Sequence, residues 1–143
     1  MKELSEVNSS LEEKIVFIVE DGNVLHDKKK LAEALTLYIK AWGLIPDPKQ
    51  EWGIANWVSA CLFSVYFDLK NFSTAKDWGV ISLKTRTSNI DTSPLIDLGM
   101  VCYELSQYDE SLKYFDEAYS YGKSRAFQER PKKYLDYYLE NKK

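Results

Sequence analysis

Apolar side chains recur at the spacing of an α-helix through almost the whole chain, and this periodicity is the strongest constraint on its fold. The segment LAEALTLYIKAW contains an apolar stripe made of Leu31, Ala34, Leu35, Tyr38 and Ala41. Residues three and four apart share one face of a helix, whereas the alternating pattern of a strand is nearly absent. The sequence therefore predicts an all-α protein whose helices each bury one face.

Breaks in the periodicity predict seven helices. Pro48 and Pro94 stand where helices begin, because proline is tolerated in the first turn of a helix. The predicted helices span about residues 10–26, 30–44, 48–69, 72–85, 94–105, 109–121 and 131–141. The connections near 27–29, 70–71 and 106–108 are short, so the helices on either side are expected to be antiparallel neighbours.

The helix pairs align on one another as a degenerate repeat. A small residue on the first helix of a pair, such as Gly22 or Gly99, is followed by an aromatic residue on the second helix, Tyr38 or Phe115. The frame shifts by 41 residues between the first two units and by 36 between the last two. Small residues let paired helices approach closely, and the aromatic side chains are expected to fill the space between pairs. The repeats span about 14–48, 55–88 and 91–125, with a cap over 126–143.

This pattern resembles the tetratricopeptide repeat, whose period is about 34 residues. The resemblance implies a single domain, residues 1–143, built as a right-handed α-solenoid of three degenerate helix pairs plus a C-terminal capping helix. A plain helical bundle without a repeat is the alternative fold.

Residue content argues against catalysis. His26 is the one histidine of the chain, and the motifs of zinc proteases, phosphate loops and serine hydrolases do not occur. Cys61 and Cys102 lie far apart and suggest two reduced thiols. We expect no catalytic residue, no metal and no cofactor, although a buried pair of His26 with a carboxylate would reopen the question of an enzyme.

Charge and hydropathy bear on partners and location. A net charge of -3 does not suggest a nucleic-acid partner, and the longest apolar run, IVFIV, is too short to cross a bilayer. The sequence begins without the pattern of a signal peptide. We therefore expect a cytoplasmic protein that binds neither nucleic acid nor membrane.

A concave groove is the expected binding surface, because the first helix of each pair lines the inner side of such a stack. The register places aromatic residues and Met there, which are typical anchors of protein interfaces, together with one carboxylate per repeat, which suits a basic partner. The predicted groove residues are Val19, Asn23, Asp27, Trp57, Ser64, Phe67, Asp68, Ile96, Met100, Tyr103 and Glu104. Alternatively, later helices or the C-terminal segment fold into the groove and bury this patch.

The stretch AWGLIPDPKQEWGIANW is similar to a narrower group of small bacterial tetratricopeptide proteins encoded beside polymorphic toxins. The matching positions are Ala41, Trp42, Pro46, Pro48, Lys49, Trp52 and Trp57. This resemblance implies an immunity protein that binds and neutralises a toxin domain, and the carboxylates of the predicted groove suit a toxin domain with a basic surface. Within the stretch, Trp42 and Trp52 are expected to pack the joint between repeats, and Trp57 to face the groove.

A second hypothesis is a self-associating adaptor for the assembly of another complex. Residues 1–27 hold seven acids and two lysines, whereas residues 123–143 hold seven bases and three acids. The two ends could pair head to tail, so a homodimer is compatible with the sequence.

Overall fold

The computed structural model describes residues 2–142, and these are predominantly α-helical. The helices are α1 (Leu4–Val7), α2 (Ser9–Asp27), α3 (Leu31–Leu44), α4 (Ile54–Asp68), α5 (Phe72–Thr85), α6 (Ser93–Glu104), α7 (Tyr108–Gly122) and α8 (Lys132–Asn141). Short 3-10 segments cover Lys49–Glu51 and Lys123–Phe127. Among residues 2–142, a single β-bridge between Lys2 and Trp52 is the nearest approach to a sheet. The all-α prediction is confirmed.

The chain divides into two compact units, residues 1–87 and 88–143. In the first unit, α3 packs against both α2 and α4, and α5 packs against α4. In the second unit, α7 packs against both α6 and α8. The single domain over 1–143 that the sequence suggested stays a prediction. No helix within residues 2–142 combines the length and the apolar character that a membrane span requires.

The predicted helix 48–69 starts later than expected, at Ile54, because the backbone just before it is bonded to the N-terminal segment. The Lys2 amide donates to the Glu51 carbonyl at 3.1 Å, and the Gly53 amide donates to the Lys2 carbonyl at 2.7 Å. Helix α1, which the sequence did not predict, follows directly and buries Leu4 in the core. The segment that precedes the first predicted helix is therefore part of the first unit.

The same turn closes the pairs α2–α3, α4–α5 and α6–α7. A non-glycine residue with positive φ follows each first helix: Lys29 at 63°, Lys70 at 63° and Ser106 at 62°. The next amide donates to the carbonyl five residues back, which is the Schellman arrangement. The three bonds join Lys30 to Leu25, Asn71 to Tyr66 and Gln107 to Cys102, at 2.9, 2.9 and 2.8 Å. The turns thus recur at the sequence shifts from which the repeat was inferred.

Paired helices approach most closely where a glycine faces an aromatic ring. A Cβ atom placed on Gly22 would lie 2.6 Å from the Tyr38 ring, and one on Gly99 would lie 2.3 Å from the Phe115 ring. The sequence analysis placed these rings between pairs. The structure seats each ring on the glycine of its own pair, because the missing Cβ leaves room for it, and the Phe115 ring also contacts Phe127, Tyr134 and Tyr138 beyond its pair.

The middle pair carries the same two residue types in exchanged positions. Phe63 lies on α4 and Gly79 on α5, both are buried, and their separation along the chain equals that of Gly22 from Tyr38. The deviation of the middle pair from the repeat pattern is therefore an exchange of the aromatic and the small residue between its two helices.

The tryptophan-rich joint before α4 is packed as predicted. Trp52 is 9% exposed, and its indole Nε1 donates to the Pro46 carbonyl at 3.1 Å. Trp42 meets Trp78 of α5 edge to face, with 5.0 Å between ring centroids. Lys49 closes the loop through a 2.6 Å bond from Nζ to the Ile45 carbonyl.

Candidate functional site

An open hollow of about 360 Å³ lies in the first unit beside the start of α4. Val16, Ile54 and Trp57 contribute apolar lining, and Glu3 and Glu12 contribute carboxylates. Trp57 also packs in part against the hydrophobic core of this unit, so the ring is held in place. The hollow therefore combines a fixed aromatic ring with two acidic groups.

The start of α4 is anchored on two sides, and this fixes the position of Trp57. Asn56, the preceding residue, donates from Nδ2 to the Ser82 carbonyl of α5 at 2.7 Å. Gly53 lies under the Glu3 side chain, where an added Cβ would come within 2.8 Å of a carboxylate oxygen. The bond between Lys2 and Gly53 thus brings Glu3 to the hollow, which no local sequence pattern indicated.

A chain of polar side chains joins α2, α3 and α4 at the other end of the first unit. His26 Nε2 lies 2.6 Å from Asp68 Oδ2, and His26 Nδ1 lies 3.3 Å from the Tyr38 hydroxyl. The Tyr38 hydroxyl donates to Asn23 Oδ1 at 2.6 Å, and the Cys61 thiol also reaches this oxygen, at 3.7 Å. Three helices are therefore linked by side-chain hydrogen bonds between residues far apart in the chain.

The geometry limits what chemistry this network can perform. A hydroxyl has one proton, so Tyr38 can donate either to Asn23 or to His26 at a given moment. Burial raises the pKa of the Cys61 thiol to about 12, and burial also raises the pKa of Tyr38, with Cys61 and Asp27 adding to the effect. A thiol reacts as a thiolate, so Cys61 at neutral pH is protonated and poorly nucleophilic. The His26–carboxylate pair thus occurs beside a thiol that is not activated.

Removal of the Tyr38 hydroxyl tests the contribution of this network. Tyr38→Phe leaves Asn23 Oδ1 and His26 Nδ1 each short of a partner, so we expect a loss of about 1–2 kcal/mol in the free energy of unfolding. Urea unfolding followed by circular dichroism measures it. Tyr121→Phe is the matched control, because Tyr121 is 49% exposed and its hydroxyl can bond to water. Equal stability of the two variants would show that the network contributes nothing.

The predicted groove residues of the first unit divide into three environments. Val19 is completely buried, so it belongs to the core and is not available to a partner. Asn23 and Asp68 lie in the polar network. The remaining members are exposed or partly buried: Asp27, Trp57, Ser64 and Phe67. Phe67 contacts the tilted ring of Phe63 and meets Phe72 edge to face, at centroid distances of 5.6 and 5.2 Å.

The predicted groove residues of the second unit do not form an open surface. Ile96 is 0% and Met100 6% exposed, and every other position of α6 from Pro94 to Cys102 is buried as well. Helix α8 reaches the other two: Tyr134 donates to Glu104 Oε2 at 2.6 Å, and Tyr103 meets the Tyr137 ring at 4.9 Å. The C-terminal segment thus occupies this face, which was the alternative to an open groove.

A buried ion pair in the second unit escaped the sequence analysis. Asp97 lies on α6 at 7% exposure, and Arg130 Nη1 donates to its carboxylate and to Met100 Sδ. Burial raises the pKa of Asp97, and the nearby Arg130 acts in the opposite direction. The sequence indicates this pair only through Asp97 itself, a single carboxylate inside the otherwise apolar segment PLIDLGMVC.

The described residues contain no candidate metal site, and neither the family models nor the curated proteins contain a match to the chain. In the part of the chain that is described, residues 2–142, no three His, Cys, Asp or Glu side chains converge as a metal site would require. No protein-family model matches the chain. No curated protein matches it either. The resemblance to tetratricopeptide repeats and to toxin-neighbouring proteins therefore stays a prediction.

Proposed function

We propose that this chain is a non-enzymatic protein-binding module, built as a solenoid of three tetratricopeptide-type helix pairs. Its binding site would be the hollow beside Trp57, and its partner a protein that presents a basic segment. One observation carries the proposal: the hollow places an aromatic ring beside the carboxylates of Glu3 and Glu12. A lysine or arginine side chain would meet both groups there, through a cation–π contact and charge-assisted hydrogen bonds.

The first unit is the better candidate because its carboxylates lie beside an open space. In the second unit, Glu104 already binds Tyr134 and the Lys133 ammonium, which lies at 3.1 Å. Tyr103 is enclosed by aromatic rings and by Lys133, at 5.6 Å from its centroid. The internal contact of Lys133 with Tyr103 and Glu104 is the kind of contact we propose for an external basic residue at Trp57.

Binding of short peptides tests the proposed chemistry. Oligo-lysine and oligo-arginine peptides are expected to change the fluorescence of Trp57, whereas oligo-glutamate should not. The response should weaken as salt is added, because exposed charges are screened. Trp57→Phe keeps an aromatic ring but removes this indole, so it shows which of the four tryptophans reports. Identical responses to acidic and basic peptides would contradict the proposal.

Neutralisation of the two carboxylates is the matching mutational test. The double variant Glu3→Gln, Glu12→Gln is expected to weaken peptide binding about tenfold, since a charged hydrogen bond contributes about 1.5 kcal/mol or more. Its control makes the same change of net charge at exposed positions that do not line the hollow, as Glu33→Gln, Glu140→Gln. Equal loss in both variants would mean that only overall charge matters.

The specific biological version of the proposal is an immunity protein. It rests on the resemblance of the tryptophan–proline stretch and on the acidic hollow, which suits a basic toxin surface. Mixing the chain with the protein encoded beside its gene should produce a complex in size-exclusion chromatography, and co-expression should protect cells from that protein. Failure of both would refute the immunity role without bearing on peptide binding.

A further inference from the structure

The outer face of α2 carries a stripe of exposed residues at the spacing used by paired helices. Its members are Ser10, Lys14, Phe17, Asp21 and Val24, which alternate in steps of four and three. Phe17 is 70% and Val24 52% exposed. Large apolar side chains that share one exposed helix face are typical of an interaction surface.

The apolar area extends from α2 towards α3. An open hollow of about 430 Å³ is lined by Phe17 and Ile18 together with Ser10, Glu13, Lys14 and Lys40. Ile39, the residue before Lys40, is 50% exposed. The surface is therefore a shallow apolar depression with two bases, Lys14 and Lys40, and one acid, Glu13, beside it.

We infer that this face binds the same face of a second copy of the chain, as a twofold homodimer with antiparallel α2 helices. Lys14 precedes Phe17 by three residues and Asp21 follows it by four. A twofold axis at Phe17 brings Lys14 of one copy opposite Asp21 of the other, and symmetry repeats the pair. Each Phe17 then enters the hollow beside its partner's Phe17.

Further charged residues lie on the same face. Lys40 adds a second base beside Lys14, and Glu20 adds a second acid next to Asp21 in the chain. On this face, two bases and one acid, Glu13, thus lie on the Lys14 side of Phe17, and two acids follow Phe17, so a twofold rotation brings the more basic side of one copy against the acidic side of the other. A second copy therefore satisfies it better than a partner of uniform charge.

This interface is independent of the proposed partner site. Val16 and Glu12 line the hollow beside Trp57, whereas Phe17 and Lys14 line the hollow next to Lys40. The two hollows use different sides of α2. A dimer could therefore form whether or not the chain binds a basic partner.

A charge swap tests the arrangement. Lys14→Asp places like charges opposite each other in both symmetric pairs, and so does Asp21→Lys. Each single variant is expected to raise the dissociation constant of the dimer about tenfold or more, because like charges in an interface are strongly unfavourable. A mixture of the two variants restores both opposite-charge pairs and should associate as a heterodimer. The double variant should self-associate again.

Sedimentation equilibrium of wild type, each variant and the mixture provides the readout. Circular dichroism confirms folding, which surface substitutions of this kind should leave unchanged. Phe17→Ser is a second variant, expected to give a monomer without any change of charge. Wild-type protein that stays monomeric at its highest soluble concentration would overturn the inference. Single variants that remain dimeric, or a mixture that fails to associate, would overturn it equally.

Discussion

Replacement of Gly99 by alanine is expected to destabilise the second unit by about 3 kcal/mol, near the upper end of overpacking effects. The new Cβ would lie 2.3, 2.4 and 2.9 Å from atoms of the Phe115 ring. That ring is 0% exposed and contacts the rings of Phe127, Tyr134 and Tyr138, so it cannot turn away without disturbing them. Urea unfolding gives the free energy, and amide hydrogen exchange in α6 and α7 shows whether this unit loosens.

Two further variants show whether the loss of stability comes from overlap with the Phe115 ring. Gly43→Ala is the matched control, because no atom lies within 4 Å of a Cβ placed there. It should stabilise α3 by about 0.5–1 kcal/mol, since glycine is unfavourable inside a helix. Adding Phe115→Leu to Gly99→Ala should recover part of the lost stability, because a smaller side chain relieves the overlap. If Gly99→Ala is as stable as wild type, the helices tolerate a wider spacing than the structure indicates.

Replacement of Arg130 by methionine is expected to cost about 3 kcal/mol, because it leaves the Asp97 carboxylate buried without its cation. The removed contacts are the bond to Asp97 and the 3.4 Å approach of Nη1 to Met100 Sδ. Lys133→Met is the control within the same segment. Lys133 pairs with Glu104 but its side chain is 55% exposed, so its removal should cost less than about 1 kcal/mol. Equal losses would show that the Asp97 pair is no more important than a surface pair.

The loss of stability in Arg130→Met should depend on pH. Burial raises the pKa of Asp97 above its unfolded value, so the folded state binds the proton more tightly, and the stability contributed by this group falls as pH rises. Without Arg130 the folded pKa rises further. The difference in unfolding free energy between wild type and Arg130→Met should therefore become smaller as pH is lowered from 7 towards about 4, the ordinary range of the aspartate pKa. A deficit that is constant with pH would exclude an ionised Asp97 as its cause.

Residues missed by the sequence analysis are those whose partners lie far along the chain. His26 pairs with Asp68, and Asp97 pairs with Arg130. The two residues of each pair are much farther apart in the chain than neighbours on a helix or in a turn. No local sequence pattern therefore predicts either pair. The sequence analysis assigned Asp68 to the groove and did not consider Asp97, although each forms a bond between different elements.

The candidate site shows the same limit. The sequence singled out Trp57 as a binding residue, and the structure places it beside an open hollow. Glu3 and Glu12 were not predicted there, because Glu3 arrives through the backbone pairing of Lys2 with Glu51 and Gly53. Conversely, Tyr103 and Glu104 looked equally suitable in the register, but α8 contacts both.

Local chemistry by itself determined that this protein is all-α, where most helices begin and end, and how consecutive helices pair through short turns. These features depend on residues within about one helical turn of each other, where periodicity, proline and turn geometry act directly. Tertiary structure alone decided which faces stay open, because Tyr103 and Glu104 are covered by Tyr137 and Tyr134 of α8, about 30 residues later in the chain. It also decided that a polar N-terminal segment completes the first unit, since its backbone groups found partners at Glu51 and Gly53.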